Sequence, residues 1–439
     1  MDTHSVDLLT SARGWALLSA LPPYDESSAL PLGEALREGG YEPALVAAAL
    51  TQARLRARAR DKLGEFAEGM LFSPDGLEQA TRLEIAARHA RRFRDAGVEH
   101  VWDLGCGIGA DAMACAALGL RVSAVDVDPA TAAIARVNLR HFPDARVLLG
   151  DAAPYAEALA RESAERAGGS GGEPPAAQVG VWLDPARRLP GVSDATGRTR
   201  RAFRLDQLTP SWETVLATAA AVPATGAKLS PSLPHAALAE AAAAAGRLEA
   251  QWVSYAGEVV ECGIWFGPLT ARPGRSALVV RPGSADGAPV AAWGVHADEL
   301  ADEHGRFTGS TAPHAPREGE WIYDPDRAVV RAGLVGVLAA RTEGAEVSPG
   351  AGYVLSDRAV DVPWARRYAV IDTLPLSVKP LRAWLRARGI GRLVLKKRAV
   401  SVDPDRLRRD LRLSGEGEEL TCILTQAAGR PACVAVRAA

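Results

Sequence analysis

At 439 residues the chain exceeds one ordinary domain, so two or three are expected, and a hydrophobic content of 48% is enough for sizeable cores. A formal net charge of −2 excludes any argument about partners from whole-chain electrostatics. Five scattered cysteines without a C-x-x-C pair or an accompanying His cluster argue against a metal site and suit a reducing compartment. An N-terminus carrying acids, and the absence of any 18-residue apolar run, argue against a signal peptide and a membrane span, so a cytoplasmic protein is expected.

Residues 1–80 read as a helical domain. Ser11 suits the cap of a helix through Leu21, stopped by Pro22-Pro23, and helices over 30–37 and 43–64 follow. The arginine-rich stretch 51–64 is either a solvated amphipathic helix or a contact surface for RNA phosphates. Ser73-Pro74-Asp75-Gly76 reads as a turn, and Thr81 with Glu84 as a capping box for a helix whose face is Leu83, Ala86, Ala90 and Phe93.

Residues 101–128 organise the chain. A strand signal, Val101 to Leu104, leads into Gly105, Gly107 and Gly109, then a small-residue helix, then a strand to Val125. The glycines allow close backbone approach to a ligand, and the helix start offers free N–H groups. Asp126, 21 residues after Gly105, suits the two hydroxyls of a ribose. Asp103 ahead of the turn would repel a pyrophosphate and attract an ammonium group. A tight strand–helix turn without ligand is the alternative.

Further along, Arg146 to Leu149 is a third strand closed by Gly150-Asp151-Ala152, and 168–175 (GGSGGEPP) a flexible insertion. The run Val179 to Leu183 suits a buried parallel strand ending in Asp184-Pro185-Ala186-Arg187-Arg188. A fifth strand and its exit loop follow at 226–231, where Lys228 is either a substrate-phosphate contact or a plain edge lysine. A helix is expected over 238–248, a strand pair around Ala256-Gly257-Glu258 with Cys262 as a core residue rather than a nucleophile, and a helix from Asp326 through Ala340. From 361 onward sixteen basic residues face eight acidic ones, in a strand–helix–strand–helix–hairpin order. That suits a small RNA-binding module or a solvated basic face.

The pattern D-x-G-x-G-x-G over Asp103 to Gly109, with Asp126 at the next strand end, resembles motif I and its following acidic strand of class I S-adenosylmethionine (SAM) methyltransferases. Together with FSPDGLEQATR, LDPARR, GEVVECGIW and SVKPLRAWLRARGIGRLVLKKR, the chain resembles bacterial enzymes of that class with a C-terminal THUMP-like domain. The resemblance implies an α/β, Rossmann-like seven-stranded domain at 81–268, a connecting β-containing region at 269–360 and a THUMP-like domain at 361–439. It implies SAM as cofactor, held by Asp103, Gly105, Cys106, Gly107, Gly109, Asp126, Val127, Asp151 and Ala152. Gln79 and Thr81 would belong to a segment closing over it, and Asp151 would meet the adenine amino group. Asp184-Pro185 resembles the start of motif IV (D/N-P-P-Y/F/W), where an acceptor nitrogen is oriented. Ala186 and Arg187 depart from that motif, and Arg187 is expected to replace the aromatic ring by its guanidinium plane. True THUMP domains bind tRNA, so the resemblance implies methylation of tRNA or rRNA, with Lys379, Arg382, Arg386, Lys396, Lys397 and Arg398 on the RNA. A protein or small-molecule methyltransferase, and a non-catalytic RNA-binding protein, are the alternatives; the sequence leaves the oligomeric state open.

Overall fold

The computed structural model describes residues 1–168, 179–187, 205–283, 289–300 and 310–439, with backbone alone at 166–168 and 186–187. All but Gly168 of the Gly-rich insertion lies outside them, as does Arg188. The chain divides into two compact units, one of residues 1–229, 233–248 and 264–271, the other of residues 230–232, 249–263 and 272–439.

The first unit opens with helices α1 (Thr3–Thr10) and α2 (Ala12–Ala20), whose caps Asp2 and Ser11 each accept a backbone N–H three residues on. Helices α3 (Ala29–Glu38) and α4 (Pro43–Leu63) follow. In α4 a stripe at helical spacing, from Leu45 and Val46 through Ala49, Gln52, Leu55 and Ala59 to Leu63, is buried. Three of its five cations have partners within the chain: Arg56 donates to the Met70 carbonyl at 2.9 Å, Arg60 pairs with Glu68, and Lys62 donates to the Leu77 carbonyl at 2.9 Å, while Arg54 and Arg58 are exposed.

Two local expectations are corrected here. Ser73-Pro74-Asp75-Gly76 is the start of helix α5 (Pro74–Gln79) rather than a turn, because the Ser73 hydroxyl accepts from the Gly76 N–H at 3.1 Å and proline suits a first helical position. Thr81 does not cap α6 (Leu83–Asp95); Arg82 occupies the cap position and makes no side-chain capping bond, its guanidinium pairing with Asp61 instead, and the Thr81 hydroxyl turns inward to Asp111.

Next come β1 (His100–Leu104), α7 (Ala110–Ala117), β2 (Arg121–Asp126), α8 (Pro129–Asn138), β3 (Ala145–Leu149) and α9 (Ala152–Gly168). Then β4 (Val179–Leu183), β5 (Ala186–Arg187), β6 (Leu208–Thr209), α10 (Trp212–Ala221), β7 (Thr225–Leu229) and α11 (Ala236–Ala245) complete this part. The expected helix to Leu248 stops at Ala245, where Gly246 takes a φ of 73° and releases the chain. Strands β3-β2-β1-β4-β7 form a parallel, Rossmann-like sheet in that order. The chain order reverses between β1 and β4, which leaves a crevice at the carboxyl ends of the strands.

Strands β8 (Leu248–Tyr255) and β9 (Glu258–Phe266) are joined through Ala256 and Gly257, at φ 52° and 84°. Two successive left-handed residues match the twist of a two-residue hairpin loop. Cys262 is fully buried and its thiol pushed well up by burial, as suits a core residue. In the second unit β10 (Gly274–Arg281) runs parallel to β8 and antiparallel to β11 (Ala291–His296). Then come β12 (Trp321–Pro325), α12 (Arg327–Arg331), α13 (Val335–Thr342), β13 (Ala345–Glu346), β14 (Val354–Ser356), β15 (Ala365–Pro375), α14 (Val378–Ala387), β16 (Ile390–Lys397), α15 (Pro404–Leu411), β17 (Glu418–Ala427) and β18 (Arg430–Ala438). The single helix expected after Asp326 is two, divided where Gly333 takes a φ of 68°.

These strands form a sheet in the order β13-β14-β12-β15-β18-β17-β16, so strands from both sides of residue 361 share it. Alternation divides its residues between two cores. Cys422, Leu424, Cys433 and Ala435 pack with Leu381 and Leu385 of α14 and Leu407 and Leu411 of α15, while Ile423, Val434 and Val436 pack with Ile322 and Tyr368. Among the described residues no helix is long and apolar enough to cross a membrane.

Candidate active site

A cavity of about 450 Å³ lies where β1 to β4 end in the first unit. Of the residues singled out from sequence, Gln79, Thr81, Gly105, Cys106, Gly107, Asp126, Val127, Asp151, Ala152 and Asp184 line it. Asp103 and Gly109 belong to the same turn but not to the lining, Pro185 is buried away from it, and the Arg187 side chain lies outside the described residues. Gly105 has a φ of 92°, and a Cβ there would come within 2.9 Å of the Asp184 carbonyl oxygen. The glycine turn and the loop after β4 therefore meet backbone to backbone, which no side chain allows.

Asp126 is half-buried. One carboxylate oxygen accepts the Gly107 N–H at 3.0 Å and the other the Asp128 N–H at 2.9 Å, so the second strand end fixes the glycine turn. Val127 beside it is 53% exposed. Asp103 is 2% exposed, and among the described residues neither of its carboxylate oxygens has a hydrogen-bond partner. Burial, and then the charges of Asp111 and Asp184, push its carboxyl well above the usual range. A buried carboxylate without a partner is costly, and burial therefore favours the protonated form at this position.

A polar chain ties four elements together beside the cavity. Lys228, next to last in β7, forms an ion pair with Asp184 and donates to the Thr81 hydroxyl at 3.2 Å. Thr81 donates to Asp111 at 2.6 Å, and Asp111 meets His89 Nδ1 at 2.8 Å. Burial raises the Asp111 carboxyl, but the His89 hydrogen bond and charge, with Lys228 and Thr81, outweigh it and hold the group below its ordinary range. The His89 ring centroid lies 4.6 Å from that of Trp182 and 5.4 Å from that of Trp265. Sequence reading missed Asp111 and His89. The available signal was a histidine on the buried face Ile85-Ala86-His89-Ala90-Phe93 of a helix.

The segment from Met70 to Gly76 is held to the cavity by two buried amides. Gln52 accepts from the Phe72 N–H at 2.9 Å and donates to its carbonyl at 2.7 Å. Asn138 accepts from the Leu71 N–H at 2.8 Å and donates to the carbonyls of Leu71 at 3.1 Å and Ile108 at 2.8 Å. Asn138 thus joins this segment to the glycine turn.

Two S-adenosylmethionine-dependent methyltransferases of Mycobacterium tuberculosis, named as uncharacterized and coming from strains CDC 1551 and H37Rv, are each 30% identical to this chain over 400 residues. The match covers 89% of this chain and 94% of each relative. The chain belongs to the S-adenosylmethionine-dependent methyltransferases. The methyltransferase also shares its fold with a solved structure from Porphyromonas gingivalis W83, provisionally assigned as a methyltransferase, at a TM-score of 0.67 and 19% identity over 100% of this chain and 99% of the other. Residues 365–438 match the THUMP domain-like family, and residues 2–59 match a domain of unknown function, DUF8688.

The cofactor of this methyltransferase is SAM. The residues present fit it: a glycine cradle against Asp184, a carboxylate at a second strand end, an exposed valine beside it and an orphaned acid at Asp103. Replacing Asn138→Ala unpairs the Leu71 N–H and the Ile108 carbonyl. The expected loss is about 1–3 kcal/mol of stability, with weaker SAM binding through the loosened 70–76 segment. Thermal melts and SAM titration check both, and an unchanged melting temperature would remove the clamp role.

In the second unit the basic residues singled out from sequence separate into groups. Arg382 donates to the Leu411 carbonyl at 3.1 Å and Arg386 to that of Arg412 at 3.5 Å, so both satisfy the end of α15. Lys396 and Arg398 pair with buried Asp324 at 2.6 and 2.8 Å. Lys379 and Lys397 are exposed.

Proposed function

We propose that this methyltransferase modifies a base nitrogen in tRNA or rRNA. The observation that carries the reading is the THUMP domain-like match over residues 365–438, in a stretch from 361 with sixteen basic against eight acidic residues. In the same reading residues 1–80 are the helical domain, 81–268 the SAM-binding domain, 269–360 a connecting region and 361–439 the RNA-binding module of a cytoplasmic enzyme.

SAM supplies an activated methyl group, so the protein's task is to position an acceptor. Asp103 would face the ammonium of the methionine part, Asp126 the ribose and Asp151 the adenine. Val127 offers apolar surface beside them. Asp184, at the end of β4 and on the cavity wall, would accept hydrogens of the acceptor amino group and orient its lone pair. Lys228 would hold Asp184 in place. Gln79 and Thr81 would border the bound cofactor, and Arg187 would pack against the base.

The test is transfer of labelled methyl from SAM to total cellular RNA lacking this protein's modification, with a ribonuclease-treated control. Ribonuclease-sensitive label is expected. No label from an enzyme that binds SAM would overturn the RNA assignment in favour of a protein or small-molecule acceptor.

A further inference from the structure

A second cavity, of about 720 Å³, lies wholly within the second unit, and four separate elements deliver cations to it. Arg281 ends β10, Arg327 begins α12, Arg366 lies in β15 and Lys397 ends β16. Lys396 and Arg398 stand alongside. Its two acids, Asp324 and Asp326, are engaged within the protein. Asp324 is 8% exposed and flanked by Lys396 and Arg398, and Asp326 accepts the Ala328 N–H at 2.8 Å as the cap of α12. The triad of Lys396, Asp324 and Arg398 therefore keeps one net positive charge.

The remaining cations are poorly neutralised. Arg281 donates to a neutral carbonyl, that of Pro363, at 2.6 Å. Arg366 is exposed, with its guanidinium 5.3 Å from the Tyr368 ring centroid. Arg327 pairs with Glu258, but both side chains are mostly exposed, at 60% and 71%, where an ion pair is weak. Lys397 is exposed. The aromatic residues of the lining, Tyr353 and Trp364, are only 1% and 3% exposed, so neither ring is offered to a stacking base.

We infer that this cavity binds the phosphate backbone of the RNA substrate, with Arg366 and Lys397 as its main contacts, and that it reads charge rather than sequence. The inference rests on the RNA reading above and deepens it: the module would position the RNA, leaving base selection to the methyl-transfer site. Arg382 and Arg386, engaged at the end of α15, are not part of this contact.

Binding of the full-length enzyme to labelled total tRNA, followed across a salt series, tests it. The double variant Arg366→Glu/Lys397→Glu is expected to bind roughly tenfold or more weakly and to lose about 1–2 from the slope of log affinity against log salt. The charge-matched pair Arg409→Glu/Arg430→Glu, outside the cavity, is expected to change affinity less than threefold. Unaltered melting and SAM affinity would show that both double variants are folded. If the wild type binds RNA and the cavity variant binds it with the same affinity and slope, the site is wrong and the RNA reading stands. Equal weakening by the control pair also overturns the site, since diffuse charge would then explain binding. If the wild type binds no RNA at low salt, both readings fall.

Discussion

Replacing Asp103→Asn is expected to weaken SAM binding by roughly thirtyfold or more, because removing one partner of a buried charge pair costs about 2–5 kcal/mol. The same substitution is expected to stabilise the cofactor-free protein, increasingly so as pH rises. Burial lifts the Asp103 carboxyl well above its ordinary range, so the folded protein keeps a proton that the unfolded chain has released. A raised carboxyl contributes most to stability below the unfolded value near pH 4 and progressively less as pH climbs toward the folded value. Asparagine removes that loss, so the melting-temperature gap between variant and wild type should widen from pH 4 upward. If the ammonium of SAM faces this group, binding also expels the retained proton. Calorimetry in buffers of different ionisation enthalpy should show proton release in the wild type and none in the variant. Retained affinity in the variant would remove Asp103 from the cofactor site. A pH-independent gap would mean the acid is already ionised in the folded protein.

What was legible in the sequence had local causes. Val101 to Leu104, the three glycines and the strand to Asp126 follow from short-range periodicity and turn chemistry, and β1, α7 and β2 lie within a residue or two of those expectations. The THUMP-like tail was readable for the same reason, and its strand–helix–strand–helix–hairpin order is that of β15, α14, β16, α15, β17 and β18. Interactions between residues far apart in sequence were not legible. Thr81 has every local mark of a helix cap, yet its hydroxyl serves Asp111, 30 residues away. Lys228 admitted two readings from sequence, and its ion pair with Asp184, from a strand end far away in the chain, was visible in neither. Arg382 and Arg386 are visible in a sequence as charge, whereas the carbonyls of Leu411 and Arg412 that receive them are visible only after folding.

Asp184 and Lys228 should act as one unit. Asp184→Ala is expected to lower turnover about a hundredfold, the scale on which misplacing a reacting group acts, while SAM affinity stays within about threefold of the wild type. The second expectation follows because Asp184 touches the glycine turn through its backbone, which the substitution keeps. Lys228→Ala leaves the Asp184 carboxylate without the cation that fixes it and should lower turnover about ten- to a hundredfold, with Lys228→Arg recovering part of the loss. If the lysine works through Asp184, the double variant Asp184→Ala/Lys228→Ala is no slower than Asp184→Ala alone, since residues that act together are not additive. Fully additive losses would separate them and return Lys228 to contact with a substrate phosphate, a reading in which its loss raises KM for RNA and makes that KM less sensitive to salt. The two outcomes differ in kcat against KM as well as in additivity, so single-turnover rates at saturating RNA decide between them.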